Sequence, residues 1–312
     1  MNRSKCIANK RDGNPCQNYQ KYEKYCGVHK PKSLIKTEPK TAITITFGDC
    51  AENNIGMEIL IGSKITAGFS TGELRKAYEK LIELKVVCEL HVLGSYLPED
   101  MREIGIDKKN DATLLIIRDG VNMYLQDINK TAEDMLKEHE SLEWDKTILS
   151  RKHKNNGKDG VVNKNARWNL CYGNVYQKPD IVNGKGTIIT FDDVPCTKYI
   201  KERLPELLGN LASDMVAEGN LYYDTTKCGI GFHGDAERNI VVAVRLGETI
   251  PLCYQWFYKR RPVGEKITFA INHGDIYVMS EKAVGKDWLK SSIFTLRHSA
   301  GCATYTTLKK YD

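Results

Sequence analysis

His233-Gly234-Asp235 stands just before the apolar run Ile240 to Val244, and His298 lies 63 positions beyond Asp235. One His-x-Asp pair and a distant histidine are the sequence form of a facial triad, which holds Fe(II) on one face and leaves positions open for co-substrate and oxygen. Such a site needs a fold in which a late strand returns beside an early one, so the spacing restricts topology. Sixty-three positions accommodate several strands of a double-sheet jelly roll. His273-Gly274-Asp275 repeats the same letters, but only 23 positions separate Asp275 from His298, too few for the intervening strands. His273 reads as a turn residue. About one His-x-acid triplet arises by chance in a chain of this composition, so the surrounding residues must decide.

Those residues carry a family resemblance. Asn220-Leu221-Tyr222, then His233-Gly234-Asp235-Ala236-Glu237-Arg238, then Gly247, then Gly274-Asp275 before an apolar strand, resemble the AlkB-like Fe(II)/2-oxoglutarate dioxygenases. Upstream, Arg167-Trp168-Asn169-Leu170-Cys171-Tyr172-Gly173 is similar to the family's nucleotide-recognition lid. The resemblance covers about residues 160–312 and is strongest over 220–247. It implies His233, Asp235 and His298 as iron ligands, Asn220 and Tyr222 as hydrogen-bonding partners of 2-oxoglutarate, Tyr172 in a lid close to the target base, and Glu237 orienting substrate or lid. The family also places two arginines after the distal histidine to bind the 2-oxoglutarate carboxylates, whereas no arginine follows His298 here. Lys309, 11 residues on, is the candidate, since other 2-oxoglutarate oxygenases hold a carboxylate at about that distance; Arg297 is the substitute. Ser280 to Ser292, containing Asp287-Trp288, reads as an insertion.

The chain has ten cysteines. Without a secretion signal these argue for reduced thiols or metal ligation rather than a disulfide framework. Cys6, Cys16 and Cys26 fall at ten-residue steps, and His29 closes a Cys-x-x-His clip. Three thiolates and an imidazole complete a closed tetrahedral structural zinc site, and a segment this poor in apolar residues needs metal to fold. The pattern resembles short Cys-rich knuckles found as terminal appendages.

Between these ends, Ala42 to Phe47 alternates like a strand. Thr71 to Lys85 reads as a helix with Thr71 as N-cap and Glu73 close behind, Val86 to Leu93 and Thr113 to Ile117 as strands, and Ala132 to Leu142 as a helix. This predicts a small α/β domain. The Gly48 to Asn54 cluster suits a turn as well as a site, and His91 reads as an ordinary half-buried strand residue.

The expected organisation is therefore a zinc knuckle over 1–31, a linker over 32–41, an α/β domain over 42–145, a basic linker over 146–165, and a mainly β double-stranded β-helix dioxygenase domain over 166–312. The net charge of +6 is patchy: residues 1–40 carry 10 Lys/Arg against 3 Asp/Glu, 41–145 carry 11 against 20, and 146–167 carry 7 against 1. The two basic segments suit a phosphate backbone, and the acidic middle leaves room for a protein partner that the sequence does not identify. The resulting expectation is oxidative demethylation of alkylated nucleobases in DNA or RNA, as in nucleic-acid repair, using Fe(II), 2-oxoglutarate and O2. The base would be single-stranded or flipped out, because a stacked base cannot reach a buried metal. Two alternatives stand beside it: a hydroxylase or demethylase acting on protein or unmodified bases, and a non-catalytic zinc-knuckle nucleic-acid binder. No apolar run approaches the ~20 residues of a bilayer span. Met1-Asn2-Arg3-Ser4-Lys5 leads into more charge, so the expectation is an intracellular protein, cytoplasmic or nuclear, neither secreted nor in a membrane.

Overall fold

The computed structural model describes residues 4–5, 7–8, 10, 14–20, 40–52, 61–105, 111–155 and 158–308; the side chains of 103–105, 151–155 and 158–159 fall outside that set. The chain divides into two compact units, Met1–Pro39 and Lys40–Asp312. In the first, Lys5 and Tyr19 form an antiparallel bridge, and the Cys16 N–H donates to the Ala8 carbonyl at 2.9 Å. Cys16 is buried. The other expected zinc ligands, Cys6, Cys26 and His29, lie outside the described residues.

The second unit is a mixed α/β structure. In chain order its strands begin β1 (Ala42–Gly48), β2 (Cys50–Ala51), β3 (Ile61–Gly62), β4 (Cys88–Val92), β5 (Thr113–Ile117), β6 (Thr147–Asn155), β7 (Lys158–Asn163) and β8 (Trp168–Gly173). They continue β9 (Ile188–Thr190), β10 (Val216–Tyr222), β11 (Gly229–His233), β12 (Val241–Gly247), β13 (Ile250–Tyr258), β14 (Arg261–Ile271), β15 (Ile276–Met279) and β16 (Thr295–Gly301). The helices are α1 (Thr71–Glu83), α2 (Glu99–Gly105), α3 (Gly120–Leu125), α4 (Ala132–Glu140), α5 (Pro195–Leu208), α6 (Glu281–Val284) and α7 (Ala303–Thr306).

Local chemistry sets the helix boundaries. Ser70, one residue before the expected cap, accepts from the Glu73 N–H, and the Glu73 side chain accepts in return from the Ser70 N–H. This capping box satisfies two orphan donors at the start of α1. Thr131 and Asp134 build the same device on α4. The α1 helix buries Leu74, Ala77 and Leu81. Each leucine contributes roughly 1.5–3 kcal/mol by leaving water, and Leu81→Ala costs about 2–5 kcal/mol through the cavity it opens.

Two sheets organise the core. An eight-stranded sheet runs β4-β5-β15-β12-β1-β10-β8-β9, and a four-stranded sheet runs β11-β16-β13-β14. Alternation decides what each face of the large sheet meets. Ile43, Ile45 and Phe47 of β1 and Val242, Val244 and Leu246 of β12 pack in one apolar cluster with Leu74 and Leu81 of α1 and Ile200 and Leu204 of α5. Val241, Ala243 and Tyr277 face the other way and pack with Leu252, Tyr254 and Leu296 of the small sheet. The layers are thus helices, large sheet and small sheet.

The expected division between 42–145 and 166–312 does not form. Strand β1 is hydrogen-bonded on one side to β10 and on the other to β12, and β5 pairs with β15. The physical reason is that β1 is buried on both faces and, among the described residues, pairs with no strand of 42–145, so it completes the sheet of the later segment. The segment expected as a basic linker pairs too: β6 and β7 form a ribbon with Ile148 opposite Val162 and Leu149 opposite Val161. Among the described residues no helix is long and apolar enough to cross a membrane.

Candidate metal centre

His233 ends β11 and His298 lies in β16, and the antiparallel register pairs them directly, across an irregularity between Ile230 and His233. A bulge of this kind re-aims a side chain at the edge of a sheet. Asp235 follows in the next turn, where its N–H donates to the Val284 carbonyl at 3.0 Å. The segment 280–292, read in the sequence as an insertion, therefore docks on the motif. Gly234 makes the approach possible: a Cβ there would meet the Gly285 carbonyl oxygen at 2.0 Å.

The side chains converge. His233 Nε2 lies 3.3 Å and His298 Nε2 3.5 Å from Asp235 Oδ1, and the ligand atoms of all three lie within 4.8 Å of one another. Donors ~2.1 Å from a first-row metal and at right angles sit ~3 Å apart, so the cluster needs little adjustment to close on a cation. His233 Nδ1 lies 2.8 Å from the Gly231 carbonyl. A carbonyl only accepts, so Nδ1 carries the proton and Nε2 presents its lone pair inward, the orientation that an outer hydrogen bond gives a ligating histidine. Burial and the neighbouring His233 push the His298 imidazole down, with Asp235 pulling the other way; the neutral imidazole is the ligating form.

Burial alone raises an aspartate. In the metal-free protein the two facing imidazoles, when they carry an Nε2 proton, and the charge of Arg238 outweigh it and hold the Asp235 carboxyl well below the usual carboxylate range; a metal would take the place of those protons. Arg238 Nε lies 3.5 Å from Asp235 Oδ2, and its Nη2 lies 2.5 Å from Glu218 and 3.0 Å from Glu237. Three carboxylates around one buried guanidinium leave the cluster short of positive charge, which a divalent cation would supply. The donor set thus fits a metal, and sequence reasoning missed Arg238 and Glu218 as its supports. Asp49 is a support as well: its Oδ1 accepts from the Asn239 and Ile240 N–H groups at 2.9 Å each, tying the end of the motif to the start of β12.

The remaining expected residues fall out unevenly. Glu237 lies beside the cluster through Arg238, its Oε1 3.0 Å from Arg238 Nη2. Asn220 is consumed within the protein: its Oδ1 accepts from Arg167 Nε at 2.5 Å and Asn169 Nδ2 at 2.7 Å, and its Nδ2 donates to Glu218 at 3.0 Å. Tyr172 is a correction. It is fully buried in the helix-side cluster, its hydroxyl 3.0 Å from His139 Nδ1, on the opposite face of the large sheet from the triad. The alternation of β8 puts Cys171, not Tyr172, on the inner face. Lys309 lies outside the described residues. Arg297 is engaged with the Phe257 ring at 3.9 Å and the Trp288 carbonyl at 3.3 Å. His273 caps a turn, accepting at Nδ1 from the Gly247 N–H at 2.9 Å, and Asp275 is tied to Arg118 at 2.5 Å. His91 is half-buried against Glu89 at 2.9 Å.

One residue that sequence reasoning passed over stands out on the inner face. Arg245 is fully buried, and its Nε, Nη1 and Nη2 hydrogen-bond to no group among the described residues. Tyr222 lies against it, ring centroid to guanidinium carbon 5.7 Å. A lone arginine in the otherwise apolar run Val241 to Leu246 was the available signal.

Fold and site together define a mixed α/β protein with a largely buried His2Asp cluster on the small antiparallel sheet, which faces a large mixed one. No family model matches the chain. Over 266 residues it is 46% identical to the uncharacterized protein R156 of Acanthamoeba polyphaga mimivirus, a match spanning 85% of this chain and 98% of the relative. The chain belongs to the same family as that viral protein.

Proposed function

We propose that this protein is an Fe(II)/2-oxoglutarate-dependent dioxygenase, with a nucleobase-demethylating activity of the AlkB-like kind. The convergence of His233, Asp235 and His298 carries the reading. The two opposed sheets, with β11 and β16 of the small sheet supplying the ligands, support a double-stranded β-helix as the fold. His233, Asp235 and His298 would hold the iron, which with 2-oxoglutarate and O2 supplies oxidation of a substrate C–H bond; on an N-methyl group, hydroxylation ends in formaldehyde and the restored base. The protein's own part is positional. Arg238 and Gly231 fix the carboxylate and the imidazole, and the docked Val284 to Trp288 segment covers the motif.

The basic β6–β7 ribbon leads into β8, where Trp168 stacks on Tyr223 at 4.6 Å with Lys146 4.7 Å from its ring. Aromatic and cationic groups side by side suit a nucleic-acid strand. A second reading keeps the metal and takes a protein side chain or an unmodified base; the burial of Tyr172 away from the triad favours it. The N-terminal unit is assigned a structural zinc through Cys6, Cys16, Cys26 and His29.

The test is succinate and formaldehyde release from methylated single-stranded oligonucleotides by the Fe(II)-loaded full chain. Asp235→Ala is expected to abolish both. Succinate formation that survives this substitution overturns the triad assignment; succinate without formaldehyde, on a peptide panel, selects the second reading.

A further inference from the structure

The inner face of the large sheet carries a second built site beside the triad. Arg245 continues the inward side of β12 set by Val241 and Ala243, and it stands opposite Thr44 of β1. The Thr44 Oγ1, like the guanidinium, is buried and hydrogen-bonds to no described group, and so is the Tyr254 hydroxyl. Tyr254 reaches in from the small sheet, its ring 6.0 Å from the His298 ring. Tyr222 supplies the wall on which the guanidinium rests. Tyr277 of β15 links the two features: it stands opposite Ala243, two residues before Arg245 on the same face of β12, and packs in one cluster with Tyr254.

A guanidinium fully out of water is among the costliest groups a protein can leave unpaired. Its planar fork matches a carboxylate bidentately, and hydroxyls such as those of Thr44 and Tyr254 donate one hydrogen bond each. Asn220, expected to serve the co-substrate, is fully engaged elsewhere, so this cluster is the carboxylate-binding chemistry that the inner face offers.

We infer that Arg245, with Thr44 and Tyr254, binds the carboxylate of a small organic acid whose other end lies at the His233–Asp235–His298 centre. Resting on the proposed function, that acid is 2-oxoglutarate, held by its distal carboxylate from β12 and not by Lys309 beyond β16. The carboxylate is a ligand of the resting site as well as of turnover, so binding can be read without chemistry.

The experiment is calorimetric titration of the Mn(II)-loaded full chain with 2-oxoglutarate, with 2-oxovalerate, which lacks the distal carboxylate, and with succinate. Wild type is expected to bind 2-oxoglutarate at least ~100-fold more tightly than 2-oxovalerate, a gap consistent with losing one charge-assisted bidentate pair. Arg245→Met is expected to erase that gap while Mn(II) affinity is retained, and Arg245→Lys to keep part of it. Lys309→Ala is expected to keep all of it. If Arg245→Lys and Arg245→Met, both folded by circular dichroism, bind 2-oxoglutarate as wild type does, the assignment of Arg245 is overturned while the oxygenase reading stands. If wild type ignores 2-oxoglutarate but binds succinate in an Arg245-dependent way, the carboxylate site stands and the co-substrate reading falls. Wild type that binds none of the three acids overturns the site.

Discussion

Replacing Arg245 with methionine separates two roles that one residue combines. The guanidinium is buried and hydrogen-bonds to no group among the described residues. Exchanging buried ionic groups for apolar ones of similar volume often stabilises by about 1–4 kcal/mol. Taking about 2 kcal/mol, and ~2–4 °C per kcal/mol for a unit of this size, Arg245→Met is expected to melt roughly 4–8 °C above wild type without ligand. Ligand reverses the order. An acid at ~100 times its dissociation constant stabilises wild type by about 2.7 kcal/mol, and the variant, with its carboxylate partner gone, gains little. Differential scanning fluorimetry of the Mn(II)-loaded pair, with and without 2-oxoglutarate, reads the crossing of the two curves. A variant that melts below wild type in ligand-free buffer would refute the reasoning, because the arginine would then be satisfied within the folded chain.

Gly234→Ala places a methyl group 2.0 Å from the Gly285 carbonyl oxygen, so the backbone must move; a loss of about 1–3 kcal/mol and at least ~10-fold weaker Mn(II) binding are expected, read by chemical denaturation and electron paramagnetic resonance. His139 is fully buried, and burial pushes its imidazole from 6.5 down to about 3. The unfolded chain therefore takes up this proton first as pH falls. Stability present at neutral pH is lost between about pH 6.5 and pH 3, by up to ~1.4 kcal/mol per pH unit, and His139→Gln is expected to flatten the Tm against pH curve over that window. Arg238→Met leaves Asp235, Glu218 and Glu237 without their shared cation and is expected to cost about 3–5 kcal/mol, measured in urea; a loss under 1 kcal/mol would mean that the three carboxylates do not depend on it.

What the sequence made legible was local. Ala42 to Phe47, Thr113 to Ile117 and Ala132 onward were found because alternation and capping act within a few residues of themselves. The meeting of His233, Asp235 and His298 was legible for a related reason: a short motif plus a separation long enough for intervening strands. The partners of β1 were not legible, since its pairing with β10 and β12 is a choice among strands far away in the chain and leaves no local mark. Tyr172 shows the limit of motif matching. The letters around it suit a lid, but its face of β8 is set by a register fixed from β10, and one step along a strand exchanges the interior for the other side of the sheet. Arg245 was passed over because burial, not spacing, makes an arginine informative.

The central place of β1 also sets a schedule for the ribosome. The strand leaves early, yet Ile45 pairs with Gly219 on one side and Val244 on the other, so its second neighbour is made ~200 residues later, roughly 10–40 s at ordinary rates of synthesis. For most of that interval, until β10 is made, a strand apolar on one face waits with both edges open, the state most prone to pairing with another chain. His233, Asp235 and His298 belong to the part made last, so their cluster can assemble only after the nascent chain has survived that wait, and a fragment beginning at residue 166 would have to close its sheet across the gap that β1 fills.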